Sequence, residues 1–239
     1  AGLSPEELVQ MLNRYLSEMS DIILKSGGTL DKYEGDAIIA FWNAPLDQSN
    51  HAFLACRSAL ECQKRLQELR PEFAETFGHE IHARIGINSG PAVVGNMGSE
   101  TRFDYTAMGD TINLASRLEG ACKAYGILTL VGEQTQGQVS DKILTREVDL
   151  IKVVGKTRPV RVYELIGMRD EVSTKRKREI EQFEEALGLY REREWPRAAD
   201  GFQILPHDPV AALYLQRVQQ LAQSPPPDSW NGVFELKSK

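Results

Sequence analysis

The sequence is poor in the residues that build disulfide frameworks and zinc sites. Among its 239 residues there are three cysteines and four histidines. Cys56, Cys62 and Cys122 are scattered and odd in number, and no Cys-x-x-Cys pair occurs. Neither a disulfide framework nor a zinc site is therefore indicated, and this cysteine usage fits a reducing compartment.

Basic residues are also fewer than acidic residues. The chain carries 28 lysines and arginines against 34 aspartates and glutamates, which gives a net charge of −6. A duplex nucleic-acid binder would usually show a basic surface, so we expect no nucleic-acid partner. A site for nucleotide phosphates is still compatible with this charge, because it needs only a few local cations or a metal ion.

The sequence lacks long apolar runs as well. No run approaches the roughly 18 consecutive apolar residues that a membrane helix needs, and no signal peptide is visible. Hydrophobic residues make up 41% and charged residues 26% of the chain. This composition is typical of a globular protein with one or two domains.

The order of helix and strand signals predicts an α+β fold. Ser4-Pro5-Glu6-Glu7 is a capping box with proline at the first helical position, and the helix that it starts should stop at Gly27-Gly28. A hairpin with its turn at Glu34-Gly35-Asp36 follows. A second helix is expected over 50–69, and a strand over 81–88.

Residues 103–117 combine a strand, a tight turn and the start of a helix. The segment begins extended, turns at Gly109 and continues as a helix that Asp110 can cap. Asn113 and Arg117 are four residues apart and share one face of this helix near its N-terminus. An amide, a guanidinium and the positive helix end suit charge that develops on a phosphorus centre. The alternative interpretation is an amphipathic helix on which both side chains are merely solvated.

The last third of the chain differs in composition from the rest. Residues 168–178 are charged and predict a linker, in which Lys175-Arg176-Lys177-Arg178 is more often solvated than bound to a membrane surface or nucleic acid. Residues 179–222 repeat apolar positions at helical spacing and resemble a tetratricopeptide-like helix pair with a capping helix. One such unit cannot bury its apolar face alone, so we expect it to dock on a neighbour. Residues 223–239 read as a proline-rich, aromatic tail.

Four motifs, in their order and spacing, resemble the catalytic domain of class III nucleotidyl cyclases. The motifs are Leu30–Trp42, Gly86–Gly98, Phe103–Arg117 and Lys152–Lys156. The resemblance sets the expected domain at residues 1–167. It implies a ferredoxin-like (palm) βαββαβ core with extra strands, and because the chain opens with a helix, the first core strand is expected to be missing from it.

The resemblance also implies a role for each matching residue. Asp36 matches one of two aspartates that bind two divalent ions, Mg²⁺ or Mn²⁺. Lys32 and Thr106 match the two positions that read the purine base. Asn113 matches the residue that orients the ribose, and Arg117 the one that stabilises the transition-state phosphate. The expected reaction is attack of the ribose 3′-hydroxyl on the α-phosphorus of ATP, which gives pyrophosphate and 3′,5′-cyclic AMP.

The preference for ATP follows from two of these residues. An ammonium at Lys32 can donate to an adenine ring nitrogen, whereas guanylyl members of the family place an acidic group there. The Thr106 hydroxyl can accept from the adenine amino group. We therefore expect an adenylyl cyclase active in signal transduction, with a guanylyl cyclase as the alternative.

The match is incomplete at two positions. The other metal aspartate of the family is expected upstream of Ala1, in a segment that this sequence does not include. The family position for the triphosphate-binding lysine falls on Val154, and Lys156, or else Lys152, is the candidate substitute. These departures favour the second hypothesis, a weakly active or inactive cyclase-like module kept for regulation or dimerisation.

The resemblance finally implies an assembly. In the family one chain supplies the metal aspartates and the other supplies the purine readers, the asparagine and the arginine. This chain carries both sets, so we expect a homodimer with two equivalent ATP sites. The C-terminal helices resemble those of bacterial receptors with an upstream sensor and membrane spans, which implies the cytoplasmic catalytic portion of a membrane-anchored receptor.

Overall fold

The computed structural model describes residues 3–99, 101–152 and 158–235. In these residues the helices are α1 (Pro5–Lys25), α2 (His51–Phe77), α3 (Asp110–Tyr125), α4 (Glu133–Val139), α5 (Thr174–Arg191), α6 (Trp195–Gln203) and α7 (Pro209–Gln223). The strands are β1 (Thr29–Glu34), β2 (Ala37–Phe41), β3 (Ile85–Ile87), β4 (Val93–Gly98), β5 (Phe103–Met108), β6 (Thr129–Gly132), β7 (Ile143–Lys152), β8 (Val160–Met168) and β9 (Phe234–Glu235). The fold is a mixture of α and β, as predicted.

The chain forms two compact units. The first comprises the residues up to Ala83 together with Ser89–Leu114, and the second comprises Arg84–Asn88 and the residues from Ala115 onward. Of the three points at which the chain passes between the units, the last falls inside α3. In the part of the chain that the structure describes, no helix is long and apolar enough to cross a membrane.

The first unit begins with the predicted capping box. The Ser4 hydroxyl accepts from the backbone N–H of Glu7 at 3.2 Å, and the Glu7 carboxylate accepts from the backbone N–H of Ser4 at 2.8 Å. Helix α1 then packs on the antiparallel β1–β2 hairpin, where the hydroxyl oxygens of Ser20 and Tyr33 lie 2.8 Å apart. This contact fixes the hairpin against the helix.

A second antiparallel hairpin, β4–β5, completes the first unit. Its register runs from Val93 opposite Met108 to Gly98 opposite Phe103. Strand β5 also contacts the first hairpin, since the rings of Phe41 and Tyr105 have centroids 6.1 Å apart. The two hairpins therefore bring together residues that are far apart in the sequence.

Helix α2 is longer than the range 50–69 predicted from the sequence. It continues through Pro71, which lacks the N–H of a normal helical residue, and ends only at Phe77. Buried apolar side chains on both sides of the proline, among them Phe73, hold this stretch against the core and offset the lost hydrogen bond. Gly78, with a φ of 72°, terminates the helix in the left-handed region that favours glycine.

The second unit is built on a five-stranded sheet of order β3-β6-β8-β7-β9. Its strand β3 covers only Ile85–Ile87, shorter than the predicted 81–88. A side chain at Gly86 would place its Cβ 2.1 Å from the carbonyl oxygen of Ala115. Only glycine at this position lets α3 pack directly on β3.

The strands of the expected single palm sheet are divided among three sheets in the described residues. Strands β1 and β2 pair only with each other, β4 and β5 do the same, and the remaining strands form the five-stranded sheet. In the described residues no strand pairs with the outer edge of β2 or with the outer edge of β3.

The charged stretch 168–178 is not a separate linker. The Ser173 hydroxyl accepts from the backbone N–H of Arg176 at 3.2 Å and caps α5, which starts at Thr174. The basic residues 175–178 therefore occupy the first turns of a helix. Local capping by Ser173 explains why this helix starts earlier than its apolar periodicity indicated.

The three C-terminal helices share an aromatic core. The ring centroids of Phe202 and Tyr214 lie 5.1 Å apart, and those of Phe183 and Phe202 lie 5.5 Å apart. The indole of Trp230, in the tail, packs on Tyr190 with ring centroids 5.5 Å apart. The tail is therefore held against the helices by this indole ring.

These helices dock on the five-stranded sheet through buried polar groups. The Tyr214 hydroxyl donates to the carbonyl oxygen of Val148 at 2.9 Å. The Asp149 carboxylate, on β7, accepts from the Tyr125 hydroxyl at 2.7 Å and from the Arg217 guanidinium at 2.6 Å. The sheet and the helices consequently belong to one compact unit.

Candidate nucleotide site

Asp36 lies at the tip of the β1–β2 hairpin, where the sequence placed it. The turn uses Gly35 with a φ of 65°, and the Asp36 side chain is exposed. Within the described residues no group of three or more histidine, cysteine, aspartate or glutamate side chains could hold a metal ion. Asp36 therefore offers a single carboxylate, and the residues described here do not complete a site for two ions.

Lys32 projects from β1 and keeps its end partly accessible. Its side chain is 42% exposed, and its Nζ lies 3.5 Å from Oδ1 of Asp31. An ammonium is a donor with no acceptor capacity. Lys32 is thus held at the surface with donors available to a ligand.

Thr106 lies on β5, in the neighbouring hairpin. The residue is only 7% exposed, and its hydroxyl donates to Oδ2 of Asp31 at 2.6 Å. Asp31 therefore contacts both predicted purine-reading residues at once. The structure brings Lys32 and Thr106 together through this one carboxylate.

Sequence reasoning assigned no role to Asp31. The strand pairing passes from Leu30 opposite Ala40 to Lys32 opposite Ile39, so Asp31 is the extra residue of a β-bulge. A bulge redirects side chains that would otherwise alternate between the faces of a strand. The sequence shows only an acid beside a lysine, and neither the bulge nor the contact with a residue 75 positions away can be deduced from that dipeptide.

Asn113 and Arg117 lie on α3, four residues apart, as predicted. Gly109, with a φ of 138°, makes the turn from β5 into this helix. The Thr111 hydroxyl donates to the carbonyl oxygen of Pro91 at 2.6 Å and anchors the first helical turn. The local structure thus places Asn113 in the first turn of α3, near its positive N-terminal end, and Arg117 about one turn further along the helix.

Neither of these two side chains is engaged elsewhere. Asn113 is exposed and Arg117 is partly exposed. Among the residues that the structure describes, neither makes a side-chain hydrogen bond or an ion pair. Their donors are therefore available to a ligand rather than committed to structure.

The predicted triphosphate lysine, Lys156, lies outside the described residues, as does Val154. Lys152, the other lysine considered for this role, ends β7 and is exposed. The second metal aspartate was expected before Ala1 and is not in this sequence.

Comparison with known proteins decides the family. The family model described as "Adenylate and Guanylate cyclase catalytic domain" matches residues 1–167. The chain belongs to this family of cyclase catalytic domains. Adenylate cyclase 1 of Rhizobium meliloti is 39% identical to the cyclase chain over 173 residues, which cover 72% of this chain and 26% of that protein. The chain therefore spans about a quarter of the length of this curated relative.

Solved cyclase structures share the fold. The adenylyl cyclase CyaB from P. aeruginosa matches with a TM-score of 0.65 and 36% identity, over 72% of this chain and 88% of that one. The guanylyl cyclase Cya2 matches with a TM-score of 0.64 and 31% identity, over 72% of this chain and 86% of that one. Solved adenylyl and guanylyl cyclases thus share the fold of this chain with similar TM-scores.

Proposed function

We propose that this cyclase domain converts ATP into 3′,5′-cyclic AMP and pyrophosphate. The observation that carries the proposal is the arrangement of Lys32 and Thr106 around Asp31. The relatives named as adenylate cyclases support the same reaction.

The hydrogen-bonding groups of the two purine readers match the adenine edge. Adenine presents a ring nitrogen that accepts and an amino group that donates. Lys32 supplies donors only, and the Thr106 hydroxyl, which already donates to Asp31, offers its lone pairs. Guanine presents the opposite pair, an oxygen that accepts where adenine has its amino group and an N–H where adenine has its ring nitrogen. With guanine, the Lys32 donors would therefore face an N–H group, and the Thr106 oxygen would face the guanine oxygen.

The proposed reaction is an intramolecular displacement at phosphorus. The ribose 3′-oxygen forms a bond to the α-phosphorus, and the bond from this phosphorus to the bridging oxygen breaks. Pyrophosphate leaves with the electron pair, and the 3′-hydroxyl proton passes to solvent. In this reaction Asn113 orients the ribose and Arg117 stabilises the negative charge that develops on the phosphoryl oxygens.

Divalent ions are part of the proposal, but the described residues alone do not fit a complete metal site. Asp36 would provide one oxygen ligand, of the kind that Mg²⁺ prefers. The remaining ligands, an upstream aspartate among them, and the triphosphate-binding role of Lys156 would have to come from outside the described residues. The ions would supply Lewis-acid stabilisation of the phosphates.

A homodimer is proposed because the first unit exposes an apolar surface on β4 and β5. Val93 and Met108 face each other across the two strands and are 67% and 55% exposed. Phe103 is also exposed, but it lies at the other end of β5 and on the opposite face, because residues 103 and 108 are an odd number of positions apart. The exposed Val93–Met108 pair is therefore the apolar feature that a second subunit would cover.

We propose that a strand preceding Ala1 completes the palm sheet, because β2 and β3 each have a strand on only one edge in the described residues and an isolated two-stranded hairpin is marginally stable. We also propose, by analogy, that α5–α7 form a tetratricopeptide-like unit and that the domain is attached to an upstream sensor and a membrane anchor on the cytoplasmic side.

Replacing Lys32 by glutamate tests the assigned nucleotide preference. A carboxylate can accept from the N–H groups of guanine but not from the adenine ring nitrogen, so Lys32→Glu should lower the ATP-to-GTP ratio of kcat/KM by roughly 10–100-fold. The measurement is steady-state cyclic AMP and cyclic GMP formation by the chain with its natural N-terminal flanking sequence. Lys64→Glu, an equal charge change on an exposed helical lysine, is the control. An unchanged ratio in Lys32→Glu would remove Lys32 from base recognition.

A further inference from the structure

The carboxylate of Asp31 is buried between the two purine-reading residues. Its side chain is 1% exposed, whereas that of Lys32 is 42% exposed. Oδ2 accepts from the Thr106 hydroxyl at 2.6 Å, and Oδ1 lies 3.5 Å from the Lys32 ammonium. Asp31 is therefore too enclosed to meet a nucleotide base directly, and any effect on the base must pass through its two neighbours.

The contact with Asp31 determines what Thr106 can offer to a ligand. A threonine hydroxyl has one proton to donate and two lone pairs that accept. A carboxylate only accepts, so the single proton of Thr106 is directed at Oδ2 of Asp31. The oxygen of Thr106 can then act only as an acceptor towards a base.

The contact of Asp31 with Lys32 determines what the lysine offers to a ligand. Asp31 attracts the ammonium, whose remaining donors stay accessible because the side chain is partly exposed. The pair thus presents one donor, from Lys32, and one acceptor, from Thr106. Without the buried carboxylate, the threonine hydroxyl could rotate and donate to a base oxygen instead.

We propose that Asp31 is a positioning residue that determines nucleotide specificity by fixing the Thr106 hydroxyl as an acceptor. The acceptor pairs with the amino group of adenine and repels the oxygen that guanine carries at the same place. This proposal rests on the proposed cyclase function and adds to it the residue that sets the polarity of base recognition.

Replacing Asp31 by asparagine should reverse this polarity. The amide oxygen of the variant would face the Lys32 ammonium, and its NH₂ group would donate to the Thr106 oxygen. The hydroxyl proton of Thr106 would then point to the base and suit guanine. We expect Asp31→Asn to lower the ATP-to-GTP ratio of kcat/KM by about tenfold. Asp21→Asn, which removes an equal charge from a side chain 69% exposed on α1, should leave the ratio unchanged.

A double-mutant cycle shows whether Asp31 acts through Thr106. Thr106→Val removes the hydroxyl at nearly constant volume, and Thr106→Ser retains it together with its contact to the carboxylate. We expect Thr106→Val to lower the ratio, Thr106→Ser to keep it, and Asp31→Asn to have no further effect on the ratio in the Thr106→Val background. An equal effect of Asp31→Asn in both backgrounds would overturn the proposal.

Binding of nucleotides that cannot cyclise separates this proposal from the proposed function. The dissociation constants of 3′-deoxy-ATP and 3′-deoxy-GTP are measured for the same variants, in the chain with its natural N-terminal flanking sequence. If the unmutated protein binds 3′-deoxy-ATP more tightly than 3′-deoxy-GTP but forms neither cyclic nucleotide, the proposed reaction is wrong. The ratio of the two dissociation constants then still decides the role of Asp31. If it forms cyclic AMP and Asp31→Asn changes neither ratio, the proposal for Asp31 is wrong and the function stands. Should Asp31→Asn fail to fold, Asp31→Ser, which also removes the carboxylate, is expected to lower both ratios.

Discussion

Replacement of Arg117 by alanine is expected to lower the rate of cyclic AMP formation by about 10²–10³-fold. The guanidinium lies on α3, about two turns from its N-terminal end, and has no side-chain partner in the described part of the chain. Its charge is therefore available to the phosphoryl oxygens, where negative charge increases as the 3′-oxygen attacks. Because this interaction strengthens in the transition state, the loss should appear mainly in kcat rather than in KM.

The measurement is steady-state kinetics with ATP, with Arg57→Ala as the matched control. Arg57 is an exposed arginine on α2 that pairs with Glu61 at 2.9 Å, so its loss should leave kcat within about twofold of the unmutated value. Equal rates for Arg117→Ala and Arg57→Ala would exclude a catalytic role for Arg117.

Mixing two inactive variants extends this test to the proposed homodimer. If one subunit contributes Asp36 and its partner contributes Arg117, a heterodimer of Asp36→Ala and Arg117→Ala has one intact site. Random pairing of such subunits should restore about a quarter of the unmutated rate. Absence of any restoration, with heterodimers present by size and mass analysis, would contradict a site shared between two subunits.

Replacement of Asp149 by alanine is expected to lower the free energy of unfolding by about 3–5 kcal/mol. The Asp149 carboxylate is 1% exposed and accepts from Arg217 at 2.6 Å and from the Tyr125 hydroxyl at 2.7 Å. Its removal leaves the Arg217 guanidinium buried without its carboxylate partner. The loss of charge compensation in a buried site costs far more than the loss of an exposed ion pair.

Denaturant unfolding with the Asp149→Ala variant measures this effect. Glu119→Ala is the matched control, because Glu119 forms an exposed ion pair with Arg84 at 2.8 Å in the same unit. The control should cost less than about 1 kcal/mol. A double variant, Asp149→Leu with Arg217→Met, should recover much of the lost stability, since it removes both charges. Similar losses in the control and in Asp149→Ala would show that the helices do not depend on this pair.

Features with local sequence signals were predicted well. The capping box at Ser4, the glycine turn at Gly35 and the strand–Gly109–helix segment all appear in the structure where the sequence placed them. In each case the deciding interactions lie within a few residues, so the sequence contains the information directly. The candidate residues Lys32 and Asn113 also lie on the expected elements for this reason.

Features that depend on contacts between distant residues were missed. Helix α2 passes through Pro71 because side chains such as Phe73 are buried in the core, which local propensity does not reveal. The helices α5–α7 join the five-stranded sheet through Asp149 and Arg217, 68 positions apart. Asp31 was overlooked since its role arises from a bulge and from the packing of two hairpins. In physical terms, tertiary contacts outweighed composition and periodicity at each of these places.

Product analysis is the most direct measurement of the central claim. The purified chain with its natural N-terminal flanking sequence is incubated with Mn²⁺ and either ATP or GTP, and cyclic AMP and cyclic GMP are quantified by mass spectrometry. We expect cyclic AMP from ATP in clear excess over cyclic GMP from GTP, and no product from either nucleotide when EDTA removes the metal. A folded, dimeric protein that forms neither product would contradict the account and favour a cyclase-like module kept for regulation or dimerisation.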